Sequence, residues 1–166
     1  MLEKIQDNIN IKIVDYGMGN IQSVKNAFEL LKNKVEIINK PSEIKDADGI
    51  ILPGVGAFGN AIKNLQELKF IEPIKETVIN KKVPLLGICL GMQLLADKSE
   101  ERGIYDGLSL IPGNICKIPK LDGYRLPHIG WNEVSIKVKD PLFENLNDKR
   151  SFYFVHSYRF QCDDKF

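Results

Sequence analysis

Short apolar runs alternate with stretches of helical period over the first ninety positions of the chain. Ile11-Lys12-Ile13-Val14-Asp15-Tyr16 reads as a strand, and Gly17-Met18-Gly19-Asn20 turns the chain out of it. Over 21–31, Ile21, Val24, Ala27, Phe28 and Leu31 recur at helical spacing, which predicts a helix with one buried face. Further strands are predicted at 35–38 and 49–52, the second running into Pro53-Gly54-Val55-Gly56-Ala57-Phe58-Gly59. Helical patterns follow at 60–68 and 73–80, and the apolar run 83–88 leads into Cys89. Short apolar strands separated by helices form a parallel sheet, with its functional crevice at the carboxyl ends of the strands.

After about Gly103 the texture changes. Residues 108–111, 114–118, 131–138 and 151–160 alternate or run apolar between Pro and Gly turns, so the second half is predicted to be mostly β. The expected fold is α/β, an open and mostly parallel sheet flanked by helices, with a β-rich second half. No repeat or linker divides it, so 11–166 is predicted to be one domain, preceded by a polar N-terminal extension over 1–10.

At 166 residues and 43% hydrophobic, the chain is long enough to bury a sizeable core. Its 23 basic and 22 acidic residues leave a net charge of +1 with no basic stripe, which argues against nucleic acid or a charged membrane surface as main partner. No apolar run approaches the length of a membrane span, and Met1-Leu2-Glu3-Lys4 lacks a signal-peptide core, so a cytoplasmic location is expected. Three widely separated cysteines and two histidines form neither a disulfide framework nor a zinc pattern; no metal or cofactor is expected.

The chemistry concentrates in Gly87-Ile88-Cys89-Leu90-Gly91-Met92-Gln93. A strand turning sharply into a helix needs small residues around the bend, and the residue at the apex is held outward, as a nucleophile must be. Serine is usual there; cysteine is the better nucleophile as its thiolate, and the positive end of a following helix favours an anion. Alone, the same cysteine could be a small core residue at the end of a buried strand. Acyl transfer also needs donors for the oxyanion, and an elbow supplies one from the residue after the nucleophile, Leu90, and another from a loop after an earlier strand. Pro53-Gly54-Val55-Gly56 suits that role, although a phosphate cradle or a plain turn would use the same glycines.

Taken in order, Asp15-Tyr16-Gly17-Met18-Gly19-Asn20, Pro53-Gly54-Val55-Gly56, the cysteine elbow, Pro127-His128-Ile129-Gly130-Trp131-Asn132 and Tyr153-Phe154-Val155-His156-Ser157-Tyr158 resemble the glutaminase subunits of imidazole glycerol phosphate synthase. These are class I glutamine amidotransferases with a flavodoxin-like sheet. The resemblance implies that Cys89 attacks the glutamine carboxamide, forms a glutamyl thioester and releases ammonia. It places Gly54, Val55 and Leu90 at the oxyanion loop, and Gly56, Gln93, Glu101, Ser157 and Tyr158 around the glutamine. It also implies a cyclase partner with a (β/α)8 barrel, met in a heterodimer by Asn20, Trp131 and Tyr153. Trp and Tyr suit interfaces, although a single Trp can equally be core.

The chain departs from that family in lacking a His-Pro-Glu motif, which there supplies the base and its orienting glutamate; it reaches Phe166 first. His128 and His156 are set aside as bases because they match other positions of the family. Loss of general-base catalysis costs roughly 10²–10⁴-fold, so the chain as given is expected to be a poor glutaminase or none. Alternatives are a paralogue supplying ammonia to a sugar amidotransferase in surface-glycan synthesis, and a catalytically dead interaction domain.

Overall fold

The computed structural model describes residues 9–120, 122–123, 125–137, 140–144 and 149–162. Four parallel strands, β1 (Asn10–Val14), β2 (Lys34–Ile38), β3 (Gly49–Gly54) and β4 (Leu85–Cys89), lie in the order β2-β1-β3-β4. Helices α1 (Ile21–Leu30), α2 (Phe58–Glu67), α3 (Ile71–Lys75) and α4 (Leu90–Gln93) make the crossovers and their continuation. Side chains alternate across the strands. Ile11, Ile13, Val35 and Ile51 meet Ile21, Val24 and Phe28 of α1 on one face, while Val14, Tyr16, Ile50 and Leu52 pack with Phe58, Ala61 and Leu65 of α2 on the other. Lys12 falls on the second face and is buried; its register partner Glu36 neutralises it through an ion pair, which holds the Glu36 carboxyl below its usual range.

The second half is β-rich, as predicted. Strands β5 (Lys98–Ser99), β6 (Tyr105–Asp106), β7 (Gly113–Lys117) and β10 (Tyr158–Cys162) form a sheet in the order β10-β7-β5-β6, and β8 (His128–Ser135) pairs with β9 (Lys149–His156) as an antiparallel ribbon.

Several boundaries differ from the sequence reading. The first strand begins at Asn10, inside the predicted extension, and stops at Val14, leaving Tyr16 beyond its end. The rest of that extension, apart from Ile9, lies outside the described residues, as do Val138 and 163–166. No residue of α1 is fully buried, and Leu31 is exposed. The run 108–111 is not a strand: Leu108, Ser109 and Leu110 donate their N–H groups to Leu94, Ala96 and Leu95, closing the end of α4. Residues 76–80 form a π turn continuing α3. The predicted strand 151–160 is two strands broken at Ser157, because β9 pairs with β8 whereas β10 pairs with β7.

Behind the elbow, Asp97 accepts the Gly113 N–H at 3.0 Å and donates its own N–H to the Gly113 carbonyl at 2.9 Å. The accepted bond, with help from the Ser109 hydroxyl, holds the Asp97 carboxyl below its usual range. A depressed carboxylate contributes stability that is complete above its unfolded value, about 3.9, and is lost as pH falls through the folded one. Asp97→Asn is expected to lower stability at neutral pH and to flatten the acid limb below about pH 4, measured by urea unfolding at stepped pH.

Candidate active site

Strand β4 delivers Cys89 to the carboxyl edge of the parallel sheet with φ 54° and ψ −115°. A non-glycine residue held there costs about 1–3 kcal/mol and persists only where its surroundings enforce it. The flanking glycines do so by letting the backbones close in. A Cβ on Gly87 would lie 2.5 Å from Met92 Cα, and one on Gly91 would run into the Leu52 carbonyl of β3. The turn therefore projects Cys89 outward, and it is exposed rather than packed in the core.

Gly54 is the register partner of Cys89, so the loop after β3 stands directly beside the elbow. Val55 and Gly56 are exposed at its mouth, and Leu90 and Gly91 are buried beneath. A cavity of about 530 Å³ opens there, walled by Val55, Gly56, Cys89, Leu90, Gln93, Glu101, Ser157 and Tyr158. Every residue assigned to nucleophile, oxyanion loop or glutamine lines it except Gly54, which is buried next to it. Arg102, Lys117, Pro127, Val155 and His156 complete the wall. The sequence reading did not include them in the site. Arg102 follows two glutamates and Lys117 ends a strand, so both look like solvated charges until β7 and β10 pair Lys117 with Tyr158.

Polar contacts fix the wall. The Gln93 amide donates to the Tyr158 carbonyl at 3.4 Å. One Glu101 carboxylate oxygen accepts the Phe58 N–H at 2.8 Å, capping α2, whose N-cap residue Ala57 has no side chain able to do so. Glu101, Arg102 and Lys117 give the cavity one negative and two positive groups, suited to a zwitterionic amino acid.

His156 is not a free base. Its Nδ1 lies 2.8 Å from the Tyr158 carbonyl, which can only accept, so Nδ1 carries a proton and Nε2 accepts from His128 Nδ1 at 2.8 Å. His128 Nε2 in turn accepts from Asn132 at 2.5 Å. Both nitrogens of His156 are thus engaged.

Tyr16 adds a feature the sequence reading left unassigned. It is 1% exposed, and its hydroxyl has no hydrogen-bond partner among the described residues. A buried, unsatisfied hydroxyl costs about 1–3 kcal/mol. Burial pushes its phenol well above the ordinary value, and charge on Cys89 pushes it further.

Of the three residues assigned to a partner surface, Trp131 and Tyr153 stand opposite each other on β8 and β9 with ring centroids 5.5 Å apart. Trp131 is 71% exposed, which removes the alternative that it is core. Asn20 lies on a separate element, capping α1 by accepting the Ser23 N–H at 3.3 Å.

Comparison with known proteins gives a consistent picture. The family described as "Glutamine amidotransferase class-I" matches residues 12–165. The imidazole glycerol phosphate synthase subunit HisH 1 of Campylobacter jejuni is 46% identical over 156 residues, 94% of this chain and 78% of that protein. Subunit HisH of Sulfurimonas denitrificans is 48% identical over 158 residues, 93% of this chain and 75% of that protein. Among solved structures, a glutamine amidotransferase superposes with a TM-score of 0.71 at 15% identity, covering 93% of this chain and 74% of that one. PurLQS from Thermotoga maritima gives 0.67 at 16% identity, covering 93% and 70%. The structural likenesses bear on the fold alone.

Proposed function

The chain belongs to the class-I glutamine amidotransferases, and on that footing we propose that it is the ammonia-producing subunit of an imidazole glycerol phosphate synthase, in histidine biosynthesis. The observation that carries this reading is the exposed Cys89 on a strained elbow, in register with Gly54 and opening into a cavity roomy enough for an amino acid. The Cys89 sulfur attacks the carboxamide carbon of glutamine, and the oxyanion that forms is met by the N–H groups of Leu90 and Val55. Collapse breaks the C–N bond, ammonia leaves with a proton, and water hydrolyses the thioester to glutamate. Gln93, Glu101, Gly56 and the Ser157–Tyr158 backbone hold the amino-acid end. Because both nitrogens of His156 are engaged, it is not the base of this reaction.

Ammonia passes to a cyclase subunit with a (β/α)8 barrel, docked on the side that carries Asn20, Trp131 and Tyr153. One face of the ribbon there exposes Ile129, Trp131, Tyr153 and Val155, an apolar patch of the kind that marks an interface. No described helix is long and apolar enough to cross a membrane; a cytoplasmic location goes with the proposed biosynthetic role.

The test is glutamine turnover by the chain assembled with a cyclase subunit. Release of glutamate coupled to formation of imidazole glycerol phosphate is expected, slow from the chain as given and faster by roughly 10²-fold or more once a His-Pro-Glu segment supplies the base. Glutamate formation coupled only to a sugar acceptor, or no glutamate even with the His-Pro-Glu segment supplied, refutes the assignment.

A further inference from the structure

The geometry at the sheet edge points to a residue outside the glutamine-binding wall. Tyr16, two residues beyond the end of β1, reaches Gly54 with its hydroxyl, and Gly54 in turn faces Cys89 across β3 and β4. Gly54, which has no side chain, thus stands between the Tyr16 hydroxyl and Cys89. The Tyr16 hydroxyl occupies the space that a Cβ on Gly54 would need, 3.0 Å from which lies the Gly91 nitrogen. The Tyr16 backbone is anchored there, because its carbonyl accepts from the Asn64 amide at 3.0 Å.

A peptide is planar, with its carbonyl and N–H on opposite sides. Whenever the Gly54–Val55 peptide aims the Val55 N–H at the oxyanion in the cavity, its carbonyl turns inward, toward the buried side, where an unpaired acceptor is costly. We propose that Tyr16 is a positioning residue for the oxyanion loop: its hydroxyl donates to the Gly54 carbonyl in that arrangement, and so holds the Val55 N–H on target. A donor buried at rest without an acceptor, facing backbone that must supply one during the reaction, has the complementary chemistry. Burial keeps the phenol protonated and able to donate.

This inference rests on the glutaminase reading above. Removing one oxyanion donor costs about 10²–10³ in kcat; loss of a group that only orients it is expected to cost roughly tenfold or more. Tyr16→Phe, assayed in the complex with the cyclase subunit, should lower kcat for glutamine by that factor and leave KM within about twofold. Its melting temperature should hold or rise, since the change deletes an unsatisfied hydroxyl. As a second measurement, acylation of Cys89 by a glutamine-derived electrophile should slow in the variant, whereas alkylation by iodoacetamide, which needs no oxyanion donor, should not. A wild-type complex that releases glutamate alongside an equally fast Phe variant overturns this inference alone, as does equal slowing of both Cys89 reactions. A wild-type complex that releases none even with the His-Pro-Glu segment supplied overturns the glutaminase reading and this inference with it.

Discussion

Cys89→Ala in the assembled enzyme is expected to abolish glutamine-dependent product formation, by at least about 10⁴-fold, while turnover driven by added ammonium salt continues. The asymmetry follows from the proposed division of labour: the thiol takes part only in cutting the carboxamide, and free ammonia bypasses that step. Because Cys89 is exposed and lies outside the packed core, the substitution should leave the folded state intact, as read by circular dichroism and by retained assembly. Equal loss of both activities would show that the elbow supports the complex rather than the chemistry.

The second large effect is expected at Gly91. An added methyl there meets the Leu52 carbonyl and lies 3.2 Å from the Pro53 carbonyl carbon, all backbone of a central strand that has nowhere to move. Overpacking commonly costs about 1–3 kcal/mol, and Gly91→Ala should fall at or above the upper end while displacing the elbow and ending activity. Gly59→Ala provides the contrast. Its Cβ would meet the ring of Tyr105, an exposed side chain able to swing aside, so the loss should stay below about 1 kcal/mol. Denaturant midpoints for the two variants check the comparison.

Much of the first half was legible because its signals are local. Strands of a parallel sheet are short and apolar, and the helices between them keep a 3.6-residue period, so β1 to β4 and α1 to α2 fall within a few residues of their predicted places. Where prediction slipped, the deciding contact lay elsewhere in the chain. Leu108 to Ile111 has the composition of a strand, but its backbone closes the end of α4 instead. The run 151–160 looks continuous, yet its two ends pair with different strands. Nothing in Glu76-Thr77-Val78-Ile79-Asn80 announces a π turn. In the site, the elbow could be read because glycines two positions either side of a cysteine are a steric demand written in sequence. Lys117 could not, since what brings it to the cavity is strand register rather than spacing, and neither could Tyr16, whose buried hydroxyl meets Gly54 from beyond the end of β1.

The β8–β9 ribbon has a consequence for handling the molecule. Two strands that leave Ile129, Trp131, Phe152 and Val155 in water, paired only with each other among the described residues, are a template for ribbon-to-ribbon stacking between copies. Solubility during expression should therefore depend on a companion chain that shields this strip as it emerges from the ribosome, making co-production rather than later mixing the natural route to material for study.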